Sequence, residues 1–185
     1  KICSKLWNKS AIGRPLGQEQ LLLTSAEIIY CHKHRQLEFP SENWLREAII
    51  RSPKLLDEAI ILEALRISGN KIVIYQNFGI FKLNYVKSTW ALRWDMGCQP
   101  NSENPVAEVK WFHSSEDLNV ENIFSWAEEV SNKNRIPEIL IIDDEHSVVT
   151  YRVSKLNPKG KMNRLHEKKI NGIANLDSYP LDNGG

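Results

Sequence analysis

Two stretches of this chain hold residue types that do chemistry. Asp143, Asp144 and Glu145 are three consecutive carboxylates, set between the apolar run Ile139 to Ile142 and the β-branched and aromatic run Val148 to Val153. His113, Ser114 and Ser115, followed by Glu116 and Asp117, contain a base, hydroxyls and acids, the residue types of a hydrolase site. The same string is also the polar turn and cap that precedes a helix at Asn119, and the turn is the favoured reading. The acidic segment likewise reads first as a solvated turn between two core strands.

The remaining signals are weaker. His32 and His34 stand two apart at the end of a helical pattern beside Cys31. With no carboxylate or thiolate partner in register they suit the negative end of a helix dipole better than a metal. Gly13, Gly17 and Gly79 assemble neither a phosphate loop nor a dinucleotide fingerprint. Trp90, Arg93, Trp94, Lys110 and Trp111 interleave rings and cations on strands. RNA-stacking platforms do so too, but tryptophans at that spacing are more often core.

These residues need a scaffold, and composition bounds it. The chain has 185 residues, 42% of them hydrophobic, and 24 basic against 23 acidic side chains give a net charge of +1. That is enough to bury a core and gives no global electrostatic case for nucleic acid. Cys3, Cys31 and Cys98 are few, scattered and odd in number, which points to a reducing, intracellular (cytoplasmic) setting and no disulfide framework. No apolar run approaches the ~20 residues of a membrane span, and no export leader is expected.

In chain order, residues 1–20 have no clean period and end in IGRPLG, so they are expected to be a lead-in and not a core element. Thr24 with Glu27 forms a capping box for a helix over about 25–35. Ser41 is expected to cap a second helix with Trp44, Leu45, Ala48 and Ile49 as its stripe, and a third runs over about 54–68 to a left-handed stop at Gly69. The period then changes from helical to two. KIVIYQ, IFKLNYV, TWALRW and VAEVKWF read as strands, and Asn119 caps a helix expected to bury Val120, Ile123, Phe124 and Ala127. The hairpin around Asp143 closes the domain. Residues 154–185 carry Lys159, Lys161, Arg164, Lys168 and Lys169 and read as a basic tail or arm. The expected class is α+β: a mainly helical N-terminal domain over 1–70, then a nuclease-like domain over 71–153 with a mixed sheet and one principal helix.

Three places in this order resemble the archaeal-type tRNA-splicing endonuclease family. IGRPLG before LLLTSAEIIY is similar to its Gly-x-Pro-Leu-Gly turn and following helix. LEALRISGNKIVI, through Leu65, Arg66, Gly69 and Val73, is similar to its helix-to-strand junction, and ILIIDDEHSVVTYRV resembles its closing hairpin. The resemblance covers most of Leu6 to Val153. It implies cleavage of precursor tRNA at intron boundaries, without metal or cofactor, leaving a 2′,3′-cyclic phosphate. A catalytic subunit needs a Tyr as base, a His as acid and a Lys to stabilise the charged transition state.

Here Arg135 stands at or beside the lysine position, and Tyr85 lies near that of the tyrosine. Ser102, Glu103, Asn104 and Pro105 offer no imidazole where the histidine belongs, since His113 lies at the other end of its strand. The resemblance therefore implies a structural subunit with degenerate positions at Tyr85 and Arg135. It would work with precursor tRNA in a heterotetramer with a catalytic subunit. Val148, Thr150, Tyr151 and Val153 become the dimer strand, and Asp143, Asp144 and Glu145 an acidic loop for a basic groove. Two alternatives stay open. The chain is itself catalytic, with Tyr85, His113 and Arg135 or Lys133 brought together, or it is an RNA- or protein-binding module unrelated to splicing.

Overall fold

The computed structural model describes residues 2–17, 20–80 and 84–155, with the side chains of 2–5 and 80 outside the description. The basic tail expected over 154–185 lies almost wholly outside the described residues. The elements are α1 (Ile2–Ser10), β1 (Arg14–Pro15), β2 (Leu21–Leu22), α2 (Ser25–Arg35), α3 (Trp44–Arg51) and α4 (Leu55–Ile67). They continue with β3 (Lys71–Ile74), a 3-10 segment (Tyr75–Ile80), β4 (Ala91–Trp94), β5 (Ala107–His113), α5 (Val120–Ser131), β6 (Ile136–Ile142) and β7 (Val148–Arg152). The protein is α+β, with helices first and a sheet after them.

Strands β3 to β7 form one sheet in chain order. Every pairing is antiparallel except β5 with β6. Two parallel neighbours need a long crossover, and α5 supplies it. Both sheet faces are covered. On one, Ala26 of α2, Ala48 of α3 and Leu55, Ala59 and Leu62 of α4 join Ile72, Ile74, Ala91, Val109, Leu140 and Ile142 in one apolar cluster. That cluster draws on residues before and after Gly69, so the change of period marks the passage from helices to sheet within a shared core. The other face carries two smaller clusters, one around Trp7, Phe78 and Trp94 and one around Trp126, Val130 and Ile139.

The local signals act as their chemistry requires. Thr24 Oγ1 accepts from Glu27 N at 3.3 Å and Glu27 Oε2 accepts from Thr24 N at 2.9 Å, the reciprocal capping box. Gly69 ends α4 at φ +80°, where a Cβ would meet Met96 Sδ at 2.8 Å. Burial pushes the Cys31 thiol up to about 11, with Glu27 adding to the shift.

Five expectations are corrected. The N-terminal segment is a core element: α1 packs Trp7, and Ala11 and Ile12 are fully buried. A helix this short is marginal in isolation and is recovered by tertiary packing, so it leaves little trace in sequence. The strand expected over 71–76 stops at Ile74 and gives way to the 3-10 segment. Of the strand expected over 80–86, residues 81–83 lie outside the described residues and 84–86 are not strand. Val86 N donates to the Glu108 carboxylate at 2.9 Å instead of to a neighbouring strand. Asn43, not Ser41, occupies the cap position of α3, and Ser41 contributes its carbonyl to Trp44 N at 3.1 Å. Finally, α5 buries Trp126, Ala127 and Val130, while Val120 and Phe124 are 57% and 55% exposed.

One partly buried carboxylate of α4 carries a pH signature. Burial raises the Glu58 pKa, opposed by the hydrogen bond from Trp90 Nε1 at 3.3 Å. Because the folded value lies above the unfolded one, its contribution is favourable in acid and is lost as pH rises through the folded pKa. Glu58→Gln keeps an acceptor for Trp90 and removes the charge. The variant is expected to melt above the wild type at pH 7, with the difference closing as pH falls below the ordinary glutamate value of about 4.3. Melting curves across pH check this.

Candidate functional site

The start of the parallel pair holds a buried polar network. Arg135, just before β6, donates from Nη1 to Glu108 Oε1 of β5 at 2.6 Å and to Asn84 O at 2.9 Å. Glu108 is fully buried, and its other oxygen accepts from Val86 N at 2.9 Å and Thr89 Oγ1 at 2.6 Å. Trp126 Nε1 of α5 then donates to Thr89 Oγ1 at 3.0 Å. The charge at 135 is thus spent on holding the 84–89 loop and α5 against β5.

A second ion pair sits on the opposite sheet face. Arg93 of β4 grips Glu138 of β6 through Nε and Nη2, both at 2.8 Å, and reaches Asp95 from Nη1 at 2.6 Å. Arg93 and Glu138 are both buried, and two parallel N–H···O contacts are the strong form of such a pair. A polar cavity of about 240 Å³ between α4 and the sheet is lined by these two residues with Thr150 and Arg152 of β7.

The sequence-derived site residues fall into separate places. Tyr85 follows the carbonyl that Arg135 holds, but its ring lies against Phe78, centroids 4.6 Å apart. His113 pairs in register with Ile142, whereas Ala107 pairs with Ile136 next to Arg135. His113 and Arg135 therefore stand at opposite ends of β5, roughly 20 Å apart at 3.3 Å per residue. His113 Nδ1 contacts Ser115 Oγ at 2.7 Å and Nε2 lies 3.5 Å from Asp144 Oδ1. This is a local turn contact plus a long one, with no facing tyrosine or cation among the contacts of either ring nitrogen.

His34 Nε2 lies 2.9 Å from Glu63 Oε1, and His32 Nδ1 lies 2.8 Å from Leu37 O. Among the described residues no group of His, Cys, Asp and Glu is placed to hold a metal ion.

The hairpin itself is built as a turn with an open tip. Asp143 Oδ1 accepts from Glu145 N at 3.0 Å and Ser147 N at 2.8 Å, and His146 takes a left-handed φ of +61°. Asp143 is therefore committed to the turn, whereas the Asp144 carboxylate is 91% exposed. On β7, Val149 and Tyr151 are 49% and 51% exposed, and among the described residues no strand pairs with its outer edge.

The sequence reading missed Glu108 and Glu138, each a charged residue inside a strand. Their signal is a carboxylate within an otherwise apolar strand with an arginine in a neighbouring element.

No protein-family model matches this chain, and no curated protein matches it. The fold defines an α+β protein whose five-stranded mixed sheet is covered by helices on both faces and, among the described residues, has no strand beyond β7. Among the described residues no helix is long and apolar enough to cross a membrane.

Proposed function

We propose that this chain is a structural subunit of a tRNA-splicing endonuclease assembly, lending its fold to a catalytic partner that cuts precursor tRNA to 2′,3′-cyclic phosphate and 5′-hydroxyl ends. The observation that carries the reading is Arg135. The position where the family resemblance asks for a free catalytic cation holds a guanidinium bound to a buried carboxylate, and the nearest sequence candidate for the acid lies at the far end of β5. General acid–base catalysis needs its groups within hydrogen-bond reach of one substrate. The reading in which Tyr85, His113 and Arg135 act together has no geometric support.

The assembly residues suit this role. The exposed apolar side chains of β7, and its outer edge, which no strand among the described residues pairs, are a liability unless covered. Asp144 and Glu145 project from a turn that Asp143 fixes, and a carboxylate pair presented this way confers specificity for a basic surface more than raw affinity. The reading is tested by assaying precursor-tRNA cleavage with the chain alone and with a catalytic subunit. No cutting alone and stimulated cutting in the mixture are expected, and efficient cutting by the chain alone sinks it. Asp144→Lys with Glu145→Lys, leaving Asp143 in place, is expected to weaken the complex at least about tenfold with an unchanged melting temperature. Light scattering and calorimetry of the mixture check this, and unaltered assembly argues instead for a binding module outside splicing.

A further inference from the structure

We propose that the cleft between α5 and the 84–89 loop binds a free α-amino acid with an apolar side chain, holding its carboxylate at Lys110 and its ammonium at Glu129. The inference goes beyond the assembly reading and does not depend on it.

The cleft follows from strand and helix periodicity. Alternation along β5 turns Glu108, Lys110 and Phe112 to one face, the face on which Glu108 joins the network with Trp126 of α5. On α5, Ile123, Trp126 and Glu129 recur at three-residue intervals and share one side of the helix. Lys110, Phe112, Ile123, Trp126 and Glu129, with Val86 of the loop, line a cavity of about 400 Å³. That volume lies within the range of small-molecule sites.

Lys110 and Glu129 line this cavity as opposite charges that do not pair. Lys110 Nζ lies over the Trp126 ring, 4.9 Å from its centroid, and a hydrogen bond to Thr89 fixes that ring. Burial lowers the Lys110 pKa, the mark of an ammonium partly stripped of water, and Glu129 opposes the shift. Glu129 is therefore within electrostatic reach. Yet the two form neither an ion pair nor a hydrogen bond, and among the described residues neither charged group has another such partner.

The lining as a whole selects a zwitterion over a simple ion. It carries two cations, Lys87 and Lys110, and two anions, Asp117 and Glu129, so its formal charges cancel. An anion drawn to Lys110 meets Glu129, and a cation drawn to Glu129 meets Lys110. An α-amino acid bears both charges on groups bonded to one carbon and satisfies both residues at once, through charge-assisted hydrogen bonds. Its side chain is left to Phe112 and Ile123, which are partly buried and apolar. An apolar side chain is the one that fits.

Calorimetric titration of the full chain with L-phenylalanine tests this. The wild type is expected to bind it saturably, with a dissociation constant of about a millimolar or below. Hydrocinnamate and phenethylamine, which keep the ring and one charge each, are expected to bind at least about tenfold more weakly. Lys110→Met keeps an apolar stem over Trp126, and Glu129→Gln alters an exposed helix position, so both variants keep the wild-type melting profile. Each is expected to weaken L-phenylalanine binding by a similar factor. No binding by the wild type, equal binding of either single-charge analogue, or binding indifferent to Glu129→Gln overturns the proposal. Cleavage and assembly are measured apart from this titration, so the structural-subunit reading stands or falls separately.

Discussion

Replacing Arg66 with Leu lowers the free energy of unfolding by roughly 3–5 kcal/mol, read from urea titrations at neutral pH. Arg66 is buried near the end of α4 and donates to Ser10 O at 2.5 Å, Ala11 O at 3.1 Å and Ile72 O at 2.7 Å. One side chain thus ties α4 to the end of α1 and to the first strand of the sheet. Burial lowers its pKa, and the neighbouring Glu27 carboxylate opposes that. Glu27 is itself fully buried and accepts from Gly13 N at 2.8 Å and Asn77 Nδ2 at 3.1 Å.

Gly13 sits at φ +77°, and a Cβ there would meet Leu23 Cδ2 at 2.8 Å, so the turn it makes admits no side chain without a shift. Losing the guanidinium leaves three carbonyls without this donor and removes a positive charge near the buried Glu27 carboxylate, and single-partner removal is the costly kind of change. Arg66→Lys keeps the charge but not the fork of donors, and is expected to lose an intermediate amount. A loss below about 1 kcal/mol for Arg66→Leu would show that these contacts do not hold the junction.

Glu108→Ala is expected to cost a similar amount, roughly 3–5 kcal/mol. It strips the acceptor from Arg135, from Val86 N and from Thr89 Oγ1 together, and leaves a guanidinium whose side chain is only 8% exposed without its carboxylate. The cost lies mainly in the uncompensated charge. The double variant Glu108→Leu with Arg135→Leu is therefore expected to lose clearly less than the sum of the single changes, because removing both partners of a buried pair with apolar replacements is often close to neutral. Urea midpoints for the four members of this cycle decide it, and strict additivity would mean that the two residues do not act as a pair. The outcome bears on function as well as stability. A strongly coupled pair means that Arg135 is held by the fold and is not offered to a substrate.

Both joints coincide with segments singled out in the sequence. The turn IGRPLG with its following helix, and the junction around Arg66 and Gly69, lie far apart along the chain. The structure brings them to one buried polar knot in which Glu27 bonds the turn and Arg66 bonds the residues just before it. The two segments are thus parts of a single packing solution.

What the chain determined by itself is what depends on near neighbours in sequence. The capping box at Thr24, the glycine stop of α4, the helices α2 to α5 and the closing hairpin follow from side chains acting within a few residues of themselves. The α+β class follows from the change of period near Gly69. Tertiary structure alone decided everything that depends on distant partners. The burial of α1 comes from Trp7 meeting Val73, Phe78 and Trp94. The loop carrying Tyr85 depends on Glu108, 22 residues beyond Val86. The face of α5 that turns inward is set by which side meets the sheet, since Val120 and Phe124 are as apolar as the residues it buries. The same holds for Arg135. Its charge is visible in the sequence, but only the fold places a buried carboxylate 2.6 Å from it and so turns a cation suited to chemistry into one that holds the structure together.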